Sequence, residues 1–135
     1  MAEASGGCLC GAVRYRISGA PMSVTHCHCT MCRRASGAPV VTWLTVAPAE
    51  FAFTQGAPKS YRSSPRATRT FCAACGTPLT FVADQVAATE VDITVASLDD
   101  PAAFPPRKHI YTASRIPWFH CDPQLPQQEG SSGGA

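Results

Sequence analysis

Seven of the eight cysteines in this sequence fall into three tight clusters. In chain order, these are Cys8 and Cys10; Cys27, Cys29 and Cys32; and Cys72 and Cys75. Thiolates are preferred zinc ligands, and the spacings C-x-C and C-x-x-C let neighbouring sulfurs reach one ion from a single turn. The clusters therefore predict metal binding in preference to disulfide formation.

The first and third clusters together supply four thiolates, which complete the tetrahedral shell of zinc. Such a site would join the N-terminal region to the middle of the chain and close a long loop, whose entropic cost the metal offsets. Gly11 and Gly76 follow the two pairs, and glycine tolerates the positive φ that tight ligand turns demand. We therefore predict one structural zinc held by Cys8, Cys10, Cys72 and Cys75.

The middle cluster is one ligand short of a tetrahedron. Three thiolates leave Zn²⁺ with a net charge of about −1, which makes it a weak Lewis acid suited to binding and deprotonating a further thiol. We predict a second zinc at Cys27, Cys29 and Cys32, for which a thiol substrate is a better match than hydrolysis. Its fourth ligand stays open between an exchangeable water or substrate thiol and the following residues: Cys121, His26, His28, His109 and His120. A closed second structural site completed by Cys121 is the alternative.

Length and charge limit the classes of protein that fit. The chain has 135 residues with 11 Lys and Arg against 9 Asp and Glu, so it lacks the strong basic excess typical of nucleic-acid binding. It shows neither a secretory signal nor an apolar run long enough to span a membrane. We expect a cytoplasmic protein with reduced thiols. A single domain over residues 1–122 should precede a disordered Gly-, Ser- and Gln-rich tail at 123–135.

The intervening segments predict a mainly β fold of short antiparallel strands with little helix. Alternation or β-branched and aromatic content marks strands at 12–18, 40–46, 51–54, 60–62, 68–71, 79–82 and 90–95. One short helix should span 30–35, with Gly37 as its stop, and a single turn should follow Asp99 and Asp100.

Three segments together resemble the glutathione-dependent formaldehyde-activating enzyme family, also called the CENP-V/GFA domain. They read G-C-L-C-G-A-V-R-Y at 7–15, H-C-H-C-T-M-C-R-R-A-S-G at 26–37 and F-C-A-A-C-G-T-P-L at 71–79. The resemblance runs from about residue 6 to about residue 118. It implies a β-rich, tent-like fold around zinc, with the outer cysteine pairs on a structural ion and Cys27, Cys29 and Cys32 on a catalytic one.

The same resemblance implies a carbon–sulfur lyase reaction that joins formaldehyde and glutathione as S-hydroxymethylglutathione. We therefore expect a small thiol and an aldehyde as partners, with His28 or water protonating the alkoxide. By charge type, Arg33, Arg34 or Arg62 would bind the substrate's carboxylates. The rival hypotheses are a non-catalytic zinc-stabilised binding module of the same fold and a redox sensor at the middle cluster.

Overall fold

A computed structural model describes residues 3–131 as a mainly β fold with one α-helix. The strands in chain order are β1 (Ala4–Gly7), β2 (Arg14–Ile17), β3 (Ser23–Cys27), β4 (Val41–Val46), β5 (Phe51–Gln55), β6 (Lys59–Ser64), β7 (Ala67–Phe71), β8 (Pro78–Ala83), β9 (Val91–Thr94) and β10 (Lys108–Ile110). The helix α1 spans Thr30–Ser36. Short 3₁₀ turns occupy Pro48–Glu50, Asp84–Val86, Val95–Ser97, Pro101–Ala103 and Thr112–Ser114. The predicted fold class is confirmed.

The strands form two sheets. A three-stranded antiparallel sheet has the order β1-β2-β5, and a seven-stranded sheet has the order β10-β3-β4-β9-β8-β7-β6. Neighbours in the larger sheet are antiparallel except β10 and β3, which run parallel. The order brings β3, which ends at Cys27, next to β4 and β10, while β7 lies further along the same sheet.

Two hydrophobic clusters form the core, and each includes metal-ligand candidates. The larger packs Leu44, Leu79 and Ile93, all fully buried, together with Cys8 and Cys72. In the smaller cluster, Cys27 and Cys32 pack with the following apolar residues: Val41, Trp43 and Ile110. Both groups of sulfurs are therefore fixed by the same packing that stabilises the sheets.

The helix α1 is capped by one of the clustered cysteines. The Cys29 Sγ accepts a hydrogen bond from the Cys32 N–H at 3.2 Å, which satisfies an unpaired donor of the first turn. At the other end, Gly37 adopts a left-handed conformation with φ 72° and donates its N–H to the Arg33 carbonyl. The predicted helix and its glycine stop are confirmed to within one residue.

The seven predicted strands are present, and three further strands were not predicted. β1 consists of Ala, Ser and two Gly, residues with low strand propensity, and β10 has only three residues. In β3, Val24, Thr25 and Cys27 are all buried, so the alternation that signals a half-buried strand is absent.

The C-terminal segment differs from the disordered tail expected from residue 123. The His109 N–H donates to the Pro126 carbonyl, and the Gln128 N–H donates back to the His109 carbonyl, both at 2.9 Å. These bonds form a parallel bridge beside β10, whose outer edge would otherwise expose unpaired backbone groups. Ordered structure thus continues past the predicted domain boundary at 122, while residues 132–135 of the expected tail lie outside the described residues.

Across residues 3–131, no helix has the length and apolar character needed to cross a membrane.

Candidate metal centre

The outer cysteine pairs come together in space as predicted. The four sulfurs of Cys8, Cys10, Cys72 and Cys75 lie within 4.8 Å of one another. The Sγ–Sγ distance is 3.7 Å between Cys8 and Cys10, and 3.8 Å between Cys10 and Cys72. Two sulfurs bound at about 2.3 Å to a tetrahedral zinc are separated by about 3.8 Å. The donor set and its spacing therefore fit a closed zinc site.

Two glycine turns and several backbone donors shape this four-sulfur site. Gly11 and Gly76 adopt φ values of 82° and 83°, which confirms the expected left-handed turns. The Val13 N–H points at Cys8 Sγ from 3.3 Å, and the Cys75 N–H points at Cys72 Sγ from 3.5 Å. N–H groups directed at sulfur stabilise the thiolate form that a metal requires.

Thr77 connects the two turns of the four-sulfur site. Its Oγ1 accepts the Leu9 N–H at 3.0 Å and lies 3.3 Å from Cys75 Sγ. Hydrogen bonds from the Thr77 side chain and backbone lower the pKa of Cys75 to about 5. The hydrogen bond from the Val13 N–H likewise lowers the pKa of Cys8. Hydrogen bonds thus favour the thiolate form of two of the four cysteines.

The middle cluster also assembles, as a group of three. Cys27 closes β3, Cys29 caps α1 and Cys32 lies in its first turn, so a strand end and a helix start hold the three sulfurs. The Cys27 and Cys32 Sγ atoms are 3.6 Å apart, again close to the tetrahedral spacing. Hydrogen bonds with Cys27 and Cys29 lower the pKa of Cys32, whereas hydrogen bonds with Cys29 and Cys32 raise the pKa of Cys27.

Among the described residues, no other His, Cys, Asp or Glu places a ligand atom within 4.8 Å of all three sulfurs. Cys121, His28 and His109 instead form a separate group. The His26 Nδ1 lies 2.7 Å from Thr42 Oγ1, and His120 is exposed. None of the protein ligands considered for the fourth position therefore completes the middle cluster in this arrangement.

The separate group has the geometry of a hydrogen-bonded histidine pair. The Asp122 N–H donates to His109 Nε2 at 3.1 Å, so the neutral ring carries its proton on Nδ1. The Nδ1–H of His109 donates to His28 Nε2 at 2.8 Å. This distance is shorter than the roughly 3.3 Å that separates two nitrogens bound to a tetrahedral zinc. Burial lowers the pKa of both rings, that of His28 to about 4.

His28 does not fit the role of proton donor to a substrate alkoxide. Its side chain is completely buried and lies against His109, Phe119 and Cys121. Its ring cannot give a proton to a molecule in the cavity beside Cys32. The Nε2 atom accepts a hydrogen bond from His109, and Nδ1 is buried without a hydrogen-bond partner. Of the two proton sources expected from the sequence, His28 and water, only water remains.

A cavity of about 640 Å³ opens beside the middle cluster. Cys32 forms part of its lining, with Arg34 and Arg69 as the cationic residues. Most of the remaining wall is apolar or aromatic, contributed by Met31, Val41, Trp43, Tyr61, Phe71 and Pro78. The volume lies within the range of small-molecule sites, roughly 300–1,000 Å³. Gly76, which follows Cys75 of the four-sulfur site, also lines this cavity.

The predicted carboxylate-binding arginines differ in availability. Arg34 is exposed and lines the cavity. Arg62 is held by Asp84, with Nη1 donating to Oδ1 at 2.7 Å and Nη2 to Oδ2, so its fork is already occupied. The Arg33 Nη2 donates to Thr30 Oγ1 within its own helix. Arg34 is therefore the best placed of the three.

Asp92 is a half-buried carboxyl group that the sequence analysis did not identify. It lies on β9, paired with Thr45 of β4 and Phe81 of β8, and Thr45 Oγ1 donates to its Oδ1 at 2.5 Å. Burial raises the pKa of Asp92 to about 6, and the charges of Glu90 and Cys32 add to the increase. No local motif marks this residue, because strands from distant segments create its environment.

Replacing Asp92 with Asn should stabilise the protein at neutral pH. A folded-state pKa above the unfolded value means that ionising Asp92 costs more in the folded state, so its contribution to stability falls as pH rises through about 4 to 6. We expect Asp92→Asn to raise the free energy of unfolding by about 1–3 kcal/mol at about pH 8 and by about half as much at about pH 5. Denaturant unfolding at both pH values measures this.

Asp100→Asn, the same change at an exposed position, is the control. It should leave the free energy of unfolding unchanged at both pH values. An increase in the free energy of unfolding of Asp92→Asn that is equal at the two pH values, or no increase, would contradict a raised pKa of the Asp92 carboxyl group.

The chain is similar to known proteins in both sequence and fold. A crystal structure of a Rhodobacter sphaeroides protein is similar, with 25% sequence identity and a TM-score of 0.59 over 70% of this chain and 87% of the other. No curated protein matches the sequence. The family described as "Glutathione-dependent formaldehyde-activating enzyme" matches residues 3–114, which include both the four-sulfur site and the middle cluster. On that match, this chain belongs to the glutathione-dependent formaldehyde-activating enzyme family.

Proposed function

We propose that this protein is a zinc-dependent carbon–sulfur lyase that forms or cleaves an adduct between a thiol and an aldehyde, such as S-hydroxymethylglutathione. The observation that carries the proposal is the middle cluster, which has three converging sulfurs, no fourth ligand among the described residues, and a cavity beside Cys32. A site of this kind has room for a substrate at the metal's remaining position.

The two sulfur groups would serve different purposes. Cys8, Cys10, Cys72 and Cys75 would hold a structural zinc in a closed shell. Cys27, Cys29 and Cys32 would hold a catalytic zinc, which when bound lowers the pKa of a substrate thiol so that it is present as thiolate. A non-catalytic zinc-stabilised module would need the first group, but it would need neither an incomplete ligand set nor a cavity beside it.

The residues around the cavity would bind the two substrates and bring them together. Arg34, exposed at the cavity, would bind a carboxylate of glutathione. Trp43, Phe71 and the other apolar wall residues would limit the access of water to the reacting atoms. Holding thiol and aldehyde side by side converts a bimolecular encounter into a reaction within one complex.

We also propose a compartment on the basis of the same chemistry. All eight cysteines are free in the structure, and seven of them lie in the four-sulfur site and the middle cluster. We place the protein in the cytoplasm, where thiols remain reduced and glutathione is available as a substrate.

A zinc count combined with a rate measurement tests the proposal. We expect about two zinc ions per chain, one of them removed by mild chelation and displaced by excess glutathione. The loaded protein should consume formaldehyde with glutathione faster than the spontaneous reaction. One refractory zinc and no acceleration would refute the lyase and favour a non-catalytic binding module.

A further inference from the structure

The Arg69 guanidinium lies directly beside the middle cluster. Arg69 is on β7, opposite Tyr61 of β6 and Phe81 of β8. Its Nη2 is 3.5 Å from Cys32 Sγ, and its Cζ is 4.8 Å from the centroid of the Phe81 ring. The guanidinium thus lies over an aromatic ring while its Nη2 approaches a sulfur of the cluster.

Much of the hydrogen-bonding capacity of Arg69 is unused. Its Nε is buried and has no hydrogen-bond partner, and no carboxylate in the described part of the chain forms an ion pair with it. By contrast, Arg14 and Arg62 are both paired with aspartates. A guanidinium has five N–H donors, and leaving a buried one without an acceptor is unfavourable. Arg69 also lines the cavity, so the guanidinium N–H groups on that side can donate to an oxygen atom of a bound molecule.

We propose that Arg69 donates hydrogen bonds to the aldehyde oxygen while the thiolate adds to the aldehyde carbon; this role rests on the proposed function. In that step the sulfur lone pair forms the S–C bond, and the C=O π pair moves to oxygen. The resulting alkoxide then takes a proton from water to give the hemithioacetal. The reverse reaction follows the same path, and no oxidant or reductant takes part.

The position of Arg69 favours the aldehyde oxygen over a glutathione carboxylate. In the adduct, the new alkoxide oxygen is attached to the carbon that carries the sulfur, so it stays within a few ångströms of the reacting sulfur. The carboxylates of glutathione are many bonds further from that atom. Arg69 touches a ligand sulfur of the cluster, whereas Arg34 is the exposed cation of the same cavity. A donor fixed beside developing negative charge is the arrangement that stabilises an oxyanion.

Replacing Arg69 with Met tests this role through kinetics with two thiols. We expect kcat to fall about 10²-fold with both glutathione and 2-mercaptoethanol, with little change in the KM for either thiol. Arg66→Met removes the same charge from the nearby β6–β7 turn and should behave as wild type. A lower kcat/KM caused only by a raised KM for glutathione would show that Arg69 binds a glutathione carboxylate, and this would overturn the proposal. An unchanged kcat would also overturn it.

Two readouts other than activity complete the test. The zinc content of Arg69→Met should equal that of wild type; loss of zinc would show that Arg69 only supports the metal site. The Arg69 Nε–H resonance, assigned by its absence in Arg69→Lys, should shift with glutathione plus formaldehyde and stay in place with glutathione alone. A shift with glutathione alone, or none with both, would overturn the role.

Failure of the proposed function has a different signature. If wild type accelerates neither thiol's reaction with formaldehyde, the lyase assignment fails together with the role of Arg69. If wild type is active and Arg69→Met is equally active, only the role of Arg69 fails.

Discussion

Replacing Cys72 with Ser should remove the zinc of the four-sulfur site and lower the free energy of unfolding by at least about 3 kcal/mol, which lowers Tm by about 10 °C or more. Cys72 is only 1% exposed and packs in the larger core cluster. The metal would join two turns that are far apart in the chain, since Cys10 and Cys72 are separated by 62 positions. Loss of the metal therefore releases a long loop. A buried serine hydroxyl is also a poor replacement for a thiolate ligand. Zinc analysis and a thermal melt measure both effects.

Cys121→Ser is the matched control, because the same atom is exchanged at a half-buried cysteine outside both sulfur groups. It should keep the full zinc content and a Tm within a few degrees of wild type. Chelation of wild type should lower Tm to a value similar to that of Cys72→Ser. A Cys72→Ser protein with full zinc content and unchanged Tm would show that this group is not a structural metal site.

The two groups of sulfurs could be predicted from sequence because each is built from short cysteine clusters, and only the joining of the two outer pairs spans a long stretch of chain. The spacing within C-x-C and C-x-x-C already fixes two sulfurs on one turn, and four thiolates match one tetrahedral ion. The helix at Thr30–Ser36 and its stop at Gly37 were predictable for the same reason, since their signals are local.

The surroundings of the middle cluster depend on long-range pairing and could not be predicted in this way. Arg69 lies next to Cys32 although 37 residues separate the two, because α1, which carries Cys32, contacts β4 of the sheet to which β7 also belongs. The sequence shows Arg69 only as one of several nearby positive charges. Asp92 likewise acquires its raised pKa from strands β4 and β8 on either side of it.

The C-terminal segment shows a further limit of composition as a guide. The sequence beyond residue 123 is polar and rich in Gln, Gly and Ser, which is typical of disorder. Pro126 and Gln128 nevertheless bind the backbone of β10 through His109. An exposed edge strand offers donors and acceptors to any nearby backbone, whatever its side chains.

Cys29→Ser should abolish catalysis while leaving the fold intact. Cys29 is half-buried and is the N-cap of α1, where its Sγ accepts the Cys32 N–H. Serine is among the preferred N-cap residues, so this substitution keeps the cap and removes only the thiolate. We expect the zinc content to fall by about one ion per chain and Tm to change by only a few degrees. The glutathione-dependent rate above background should fall at least about 100-fold, as for loss of a main electrostatic catalyst.

Cys29→Ala separates the metal from the helix cap, because alanine removes both the ligand and the N-cap acceptor. It should show the same loss of zinc and rate as Cys29→Ser, with a further destabilisation of about 1 kcal/mol. If both variants instead lower Tm as far as Cys72→Ser does, the middle cluster is a second structural site. If Cys29→Ser keeps the wild-type rate, the chemistry does not occur at Cys27, Cys29 and Cys32. The combination of an unchanged fold, one lost zinc and a lost rate is expected only for a catalytic metal whose remaining position is open to substrate.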